Sequence, residues 1–292
     1  MQSGPPLSHD VTQLQRERLF YIDFLACFLG RLSRTDLTGR FDISGAAATR
    51  DIAFYRALAP GNISLDPSTK TYRSGPGFQP LFPHDPARAL QAVTEGLGDA
   101  MAGPPVPHVR AEHPLRLNQP RLEVLAPLTR AIAGSHAVEV SYNSLTSGET
   151  IREIVPHALV DTGVRWHVRA YDRRRGRFGD FVLTRIAAAR GLPGRVAESE
   201  GREVDDQWMR HVILELVPHP SLVRPEPIMR DYDMSDGVLR VRLRAAVCGY
   251  ALVHWAVDIS LDHRLDPAQH HLWLRNRAAL HGVENLDIAP GV

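Results

Sequence analysis

The chain has 292 residues, 43% of them apolar and 23% charged, with a formal net charge of +1, the profile of a globular protein long enough for two or three cores. Near-neutrality excludes a basic coat protein whose whole surface meets nucleic acid, so any such surface is local. No apolar run reaches the roughly 20 residues that span a bilayer, and the start MQSGPPLSHD lacks the basic-then-apolar order of a secretory signal; a cytoplasmic protein with no membrane partner is expected.

Residues 11 to 30 carry Leu14, Leu19, Ile22, Leu25, Cys27, Phe28 and Leu29, which suits a helix with a broad buried face that stops near Gly30. A second short helix, TDLTGRF, opens at Ser33 or Arg34 and breaks at Asp42-Ile43. Ser44 suits the N-cap of a third, running through GAAATRDIAFYRALAP to a stop at Pro60-Gly61. On that helix Ala48, Ile52 and Tyr55 share one side, and Ala46, Ala47, Arg50, Ala53 and Phe54 the other, which a nucleic-acid groove can take. Ile63-Leu65 and Thr71-Arg73 then pair around Asp66-Pro67-Ser68 as a hairpin, with Lys70 and Arg73 near its tip and return strand. Lys70 is the sole lysine; every other fixed cation is an arginine. Helix, turn, helix and basic hairpin form the winged helix-turn-helix arrangement of a DNA-binding head. Base readout then rests on Arg50, while Arg34, Thr49, Lys70, Tyr72 and Arg73 hold phosphates, and Ser44 belongs to the same DNA-facing set. A small helical bundle with a decorative hairpin is the plainer alternative.

Residues 76 to 135 are broken by Pro and Gly. GPGFQPLFPHDP reads as a linker, PARALQAVTEGLGDAM as a helix opened by Asp85-Pro86, GPPVPHVRAEHP as a second break, and RLEVLAPLTRAIAGS as a helix limited or kinked by Pro127. From Val138 to Ile186 short alternating apolar runs are separated by Ser-Gly, Thr-Gly and Arg-Gly turns, the pattern of a small antiparallel barrel or curled sheet. Its alternate set holds Arg152, His157, His167, Arg169 and Arg185, which form a concave cationic surface with aromatic walls if they face one way. Arg152, Arg169 and Arg185 each fork onto a phosphate in that case, Trp166, Tyr142 and Phe181 stack on bases, and His157 and Ser144 add hydrogen bonds. Trp166 and Phe181 equally suit a core, Arg185 an ion pair with Asp180 or Glu153, His157 a strand-end cap, and Arg173-Arg174-Arg175 a solvated turn. Beyond residue 203 a strand (HVILELVPH), a helix start at Pro225-Glu226-Pro227, a strand (VLRVRLRAA), a helix (VCGYALVHWAV) and a strand (HHLWLRN) suit a small α+β domain.

Several of these residues carry a family pattern. Residues 136 to 190 resemble the WYL domain, an Sm-like β fold of bacterial transcription regulators. The matching positions are Val140, Tyr142 and Ser144, Arg152 with Pro156-His157, Gly163-x-Arg165-Trp166, and Phe178-x-x-Phe181-x-Leu183-x-Arg185-Ile186. The triplet that names the family is Trp166-His167-Val168 here. The run from Arg34 to Pro80 resembles the winged head of the BrxR and CapW subgroup of phage-defence regulators, and residues from about 205 onward its C-terminal extension, termed WCX. The resemblance implies a multidomain α+β protein: a winged helix-turn-helix domain over 1–82, a helical connector over 83–133, an Sm-like β-barrel WYL domain over 134–202 and a small α+β dimerisation domain over 203–292. It implies a homodimeric repressor of a phage-defence operon on double-stranded operator DNA with an inverted repeat, controlled by a nucleic-acid or nucleotide effector at the WYL domain. No cofactor is implied.

Two other classes compete. An enzyme needs a phosphate loop, a nucleophile with its base or paired carboxylates; GPGF is no Walker loop, G-x-S-x-G is absent and the acidic residues are scattered. His263 and His270-His271 lack the company and spacing of a zinc site, and the distant Cys27 and Cys248 suit reduced core residues. A nucleotide-sensing module acting through protein contacts, without operator binding, is the second. It has no use for Lys70 and Arg73 on a hairpin.

Overall fold

The computed structural model describes residues 11–96, 107–112 and 117–292, in two compact units, Met1–Pro114 and Leu115–Val292. No helix among the described residues is long and apolar enough to cross a membrane.

In the first unit, α1 (Gln13–Leu29) begins at Thr12, whose hydroxyl accepts from the Gln15 amide, and ends where Gly30 takes φ 67°. There follow β1 (Arg31–Leu32), α2 (Arg34–Phe41), α3 (Gly45–Leu58), the hairpin β2 (Ile63–Asp66) and β3 (Thr71–Ser74), and α4 (Pro86–Glu95). The two-residue β1 has no sequence signal; it pairs with β3 and completes a sheet of order β1-β3-β2. Leu19, Ile22, Phe24 and Leu25 of α1 bury against Ala48, Ile52 and Tyr55 of α3. Within this core the buried Asp23 carboxylate accepts from the Tyr55 hydroxyl at 2.5 Å, the Leu81 amide at 2.9 Å and the Phe82 amide at 3.3 Å, and lies 2.8 Å from His84 Nε2. A buried carboxylate is tolerable only with such partners, and these tie α1 to α3 and to the stretch leading into α4.

The second unit opens with α5 (Leu122–Gly134), which contains Pro127. Five strands follow: β4 (Val138–Ser144), β5 (Gly148–Asp161), β6 (Trp166–Asp172), β7 (Arg177–Val182) and β8 (Ile186–Gly191). All pair antiparallel in the order β7-β6-β5-β4-β8. The expected barrel is therefore corrected to an open sheet. The 3₁₀ turn Leu183–Arg185 carries the chain from one edge to the other, and no ladder among the described residues joins β7 to β8. Register shifts at Pro156/Ala158 and Ser141/Tyr142 mark bulges that bend the strands without closing them. Val124, Leu128 and Ala131 of α5 pack on Val138, Val140, Ile154, Val168 and Ala170.

The remainder comprises α6 (Asp206–Met209), β9 (His211–Pro218), α7 (Glu226–Asp231), β10 (Leu239–Arg244), α8 (Cys248–His254), β11 (Val257–Asp258) and β12 (Leu272–Leu274). The sheet order is β10-β9-β12-β11, with β11 and β12 parallel. Its core gathers Leu214, Leu216, Cys248, Leu252, Val257 and Leu272.

The segment expected as a connector does not stand alone. Ala89 and Ala92 of α4 belong to the head core, and Val124 and Leu128 of α5 to the core beneath the five-stranded sheet. The α4 pattern, expected to reach Met101, is helical to Glu95; residues 97–101 lie outside the described part.

Candidate nucleic-acid interface and mid-chain cationic cluster

On α3 the two sides predicted from spacing separate in part: Phe54, expected on the outward side, is half-buried against the head core, and Ala47 is half-buried. Ala48, Ile52 and Tyr55 are fully buried, whereas Ala46, Thr49, Arg50 and Ala53 are exposed. Ser44 caps the helix, its hydroxyl accepting from the Ala47 amide at 3.2 Å, and Thr49 donates to the Gly45 carbonyl at 2.8 Å. Arg34 is exposed at the first position of α2. The Ser33 amide and hydroxyl both donate to Asp36 there, at 2.6 and 2.8 Å, which fixes the turn between α1 and α2.

The hairpin pairs Leu65 with Tyr72 and Asp66 with Thr71. Asp66 organises its tip: one carboxylate oxygen accepts from the Ser68 amide at 3.0 Å and hydroxyl at 2.6 Å, the other from Arg73 Nε at 3.2 Å. These donors hold the Asp66 carboxyl well below its ordinary value, the Ser68 hydroxyl foremost. Lys70 is exposed with φ 55°. Tyr72 is half-buried against the head core, so its apolar body is structural, and Arg73 keeps 61% of its side chain exposed beside Asp66.

The mid-chain residues do not form one open cationic face. Arg152 shares the core face of β5 with Ile154; it is 4% exposed, lies over the Tyr142 and Phe181 rings at 5.5 and 5.7 Å and donates to Asp172 at 2.8 Å. Tyr142 and Phe181 meet edge-to-face at 5.1 Å inside the same core. β6 is covered on both sides: Val168 and Ala170 face the core under α5, while His167 and Arg169 face the opposite way. Alternation along a strand thus sends Arg152 and Arg169 to opposite faces. Arg169 donates to Asp205 from Nε and Nη2, each at 2.8 Å, and to Asp180 at 3.4 Å. His157 Nε2 lies 3.0 Å from Asp205. Burial pushes the Asp205 carboxyl up, but His157 and Arg169 outweigh it and hold it well below its usual value. Arg173 forks onto Glu200 at 2.7 and 2.8 Å and reaches Glu153 at 3.1 Å, so that turn residue is a clasp rather than a solvated cation.

His167 is 4% exposed, stacked on Tyr250 at 5.0 Å. Burial, with Arg165 and Arg185 nearby, lowers its pKa from 6.5 to about 4; in the neutral range it is an uncharged ring. Ser144 is half-buried, its hydroxyl 3.1 Å from that of Thr146. Trp166 and Arg185 are half-buried at one end of the sheet. Arg185 has no carboxylate partner among the described residues, and it and the exposed Arg165, absent from the predicted set, each act electrostatically on His167. The acidic partners Asp172, Glu200 and Asp205 were also missed, and Asp180 and Glu153, expected beside Arg185, pair instead with Arg169 and Arg173. A cavity of about 1010 Å³ borders His157 and the segment after β8, with His136, Pro156, Arg195 and Arg202 in its wall.

Comparison with known proteins places this architecture. The family described as BrxR transcriptional regulator winged helix-turn-helix domain matches residues 14–94, the WYL domain residues 123–190, and the BrxR transcriptional regulator C-terminal dimerization domain residues 211–280. A protein named DNA-binding transcriptional repressor CapW from Pseudomonas aeruginosa is 34% identical over 279 residues, covering 90% of this chain and 89% of that one. Proteins of the same name from Stenotrophomonas maltophilia and Escherichia coli (strain KTE188) are 32% identical over 272 residues, covering 90% and 89%, and 30% identical over 280 residues, covering 92% and 91%. Among solved structures, proteasome accessory factor B/C (PafBC) of Arthrobacter aurescens aligns with 96% of this chain and 51% of its own, at 16% identity and a TM-score of 0.25. On its three matched domains and its full-length relatives, the chain belongs to the BrxR and CapW family of transcriptional regulators.

Proposed function

We propose that this protein is a cytoplasmic, homodimeric DNA-binding repressor of a phage-defence operon, controlled by a nucleic-acid or nucleotide effector. The observation that carries the DNA-binding part is the uncovered side of α3, with Thr49 and Arg50, followed in the chain by a hairpin whose tip exposes Lys70. Small residues on a recognition helix allow close approach to a groove, and Arg50 then reads a base edge while Arg34, Lys70 and Arg73 meet phosphates. The dimeric part is supported by the match of residues 211–280 to a dimerization domain, and a dimer of winged heads calls for an inverted repeat. The relatives named as DNA-binding transcriptional repressors support the DNA-binding part.

Effector control is proposed on a smaller set than the sequence suggested. Arg152, Tyr142 and Phe181 belong to the core. Arg169 and His157, with Arg165, Arg185 and Trp166 at the sheet end, are the groups that serve a phosphate-bearing ligand. An effector acts only through different affinities for two arrangements of the dimer.

The test is a gel shift of the protein on its own upstream DNA, with and without short single strands. Arg50→Ala weakens the shift, and Lys70→Ala weakens it at every sequence and lowers the salt slope by about 1. An unchanged shift in both variants overturns the DNA-binding reading.

A further inference from the structure

The best-made anion site of the five-stranded sheet is already occupied, and its occupant is the chain itself. Arg169 offers two parallel N–H donors and His157 a ring nitrogen to one carboxylate, Asp205, at 2.8, 2.8 and 3.0 Å. All three side chains are over nine-tenths buried. That is the forked geometry by which arginine takes a phosphate. Asp180, 3.4 Å from Arg169 and hydrogen-bonded by the Tyr250 hydroxyl at 3.0 Å, holds the guanidinium in place independently of Asp205.

Asp205 belongs to the segment that joins β8 to the dimerization domain, and among the described residues the side-chain hydrogen bonds from that segment to the sheet are those of Asp205 and Glu200. Glu200 sits on Arg173. Asp205 caps α6, accepting from the Trp208 amide at 3.2 Å. Trp208 in turn packs edge-to-face on His157 at 5.5 Å and beneath Arg244, the last residue of β10, whose guanidinium lies 4.7 Å from the ring centroid and donates to the Trp208 carbonyl. The cavity of about 1010 Å³ runs alongside, with His157 and Gly201, Arg202 and Glu203 in its wall.

We infer that Asp205 is a built-in surrogate ligand: a phosphoryl group of the effector takes its place on Arg169 and His157, the rest of the effector lying in the adjoining cavity. Displacement uncaps α6, frees Trp208 and loosens its hold on Arg244, so occupancy of the sheet is felt in β10 of the dimerization domain. The inference rests on the effector reading above and adds its competitor and its route.

The test uses the full-length protein and a 5′-phosphorylated tetrathymidylate, with inorganic phosphate as the minimal probe. Calorimetry gives its affinity, and limited trypsin digestion after Arg195 and Arg202 reads release of the segment. Asp205→Asn is expected to bind the oligonucleotide about tenfold tighter than wild type, the factor for a seat open about one-tenth of the time. It is cut rapidly without ligand, whereas the wild type is cut rapidly only with it. Adding Arg169→Ala to Asp205→Asn removes the gain. Glu200→Gln, at the outer clasp, shifts both readouts the same way by less and serves if Asp205→Asn does not fold. Affinity within twofold of wild type, with Arg195 and Arg202 still protected, overturns the proposal and leaves Asp205 as a strut. So does failure of the neutralised variants to bind the probe. Operator gel shift is scored separately: its loss with the tryptic response intact sinks the repressor and keeps the surrogate ligand.

Discussion

Lowering pH tests whether the mid-chain cluster is as neutral as its packing implies, and His167 is the group to watch. A base whose folded pKa lies below its unfolded value takes up its proton first in the unfolded chain. Its contribution to stability is therefore complete above the unfolded value of 6.5 and is lost as pH falls towards the folded value of about 4. At about 1.4 kcal/mol per pH unit the full loss is about 3 kcal/mol, a large share of the stability of an ordinary domain. All four tryptophans (166, 208, 255 and 273) lie in the second unit, so urea melts followed by tryptophan fluorescence report that unit's unfolding. The comparison is with His167→Phe, which keeps a ring against Tyr250 and cannot titrate. Carboxylates titrate in both proteins and cancel in the difference. The wild type is expected to lose about 3 kcal/mol more than the variant between pH 7 and pH 4. Parallel curves would refute the reasoning and return His167 to the list of cations available to a phosphate.

Three further outcomes follow from the packing. Arg152→Ala leaves the buried Asp172 without its cation and is expected to destabilise the second unit by about 3–5 kcal/mol, whereas Arg152→Met with Asp172→Asn, which removes both charges and keeps an acceptor for the Arg174 and Arg175 amides, costs less in the same melt. Asp23→Ala takes the acceptor from the Tyr55 hydroxyl proton, which keeps only the Asn62 amide as a donor to its oxygen, and from the Leu81 and Phe82 amides, lowering the stability of the head by about 3 kcal/mol or more while leaving the tryptophan-monitored transition unmoved. Burial pushes the Cys248 thiol up to about 12, so iodoacetamide at pH 8 leaves it unmodified in the native protein, as peptide mass analysis will show.

The head was legible because its signals are local. Ser44 and Asp85 at helix starts, Gly30 as a stop and the Asp66-Pro67-Ser68 turn each act within four residues of where they stand, and the structure places all of them as spacing predicts, while the Thr12 cap of α1 was not read from the sequence. The exposure of Ala46, Arg50 and Ala53 on α3 followed from helical period, whereas Phe54, expected beside them, packs on the head core. The mid-chain cluster was misread because its outcome depends on partners far away in sequence. Arg152 meets Asp172 because β5 and β6 pair Ile154 with Asp172, and Arg169 meets Asp205 across 36 residues. Alternation gave the parity of each arginine but not which face was core; β6, buried on both sides, has no solvent face to offer. Barrel closure failed for a related reason, since alternation is the same in an open sheet and a closed one. The division of the connector followed from small apolar residues, Ala89 and Ala92, that look unremarkable in sequence and fill a core in space.

The hairpin tip has a kinetic consequence. Asp66 gathers Ser68 and Arg73 on one carboxylate, and Lys70 already sits in the left-handed conformation that an unrestrained lysine visits rarely. The backbone that carries Lys70 is thus set in advance, and under the proposed function a duplex meets it already in place. On that reading little backbone freedom is surrendered at docking, so loosening the tip by Ser68→Ala, which removes a donor to Asp66 without changing the charge, should slow productive encounter with the operator while leaving its dissociation nearly unchanged.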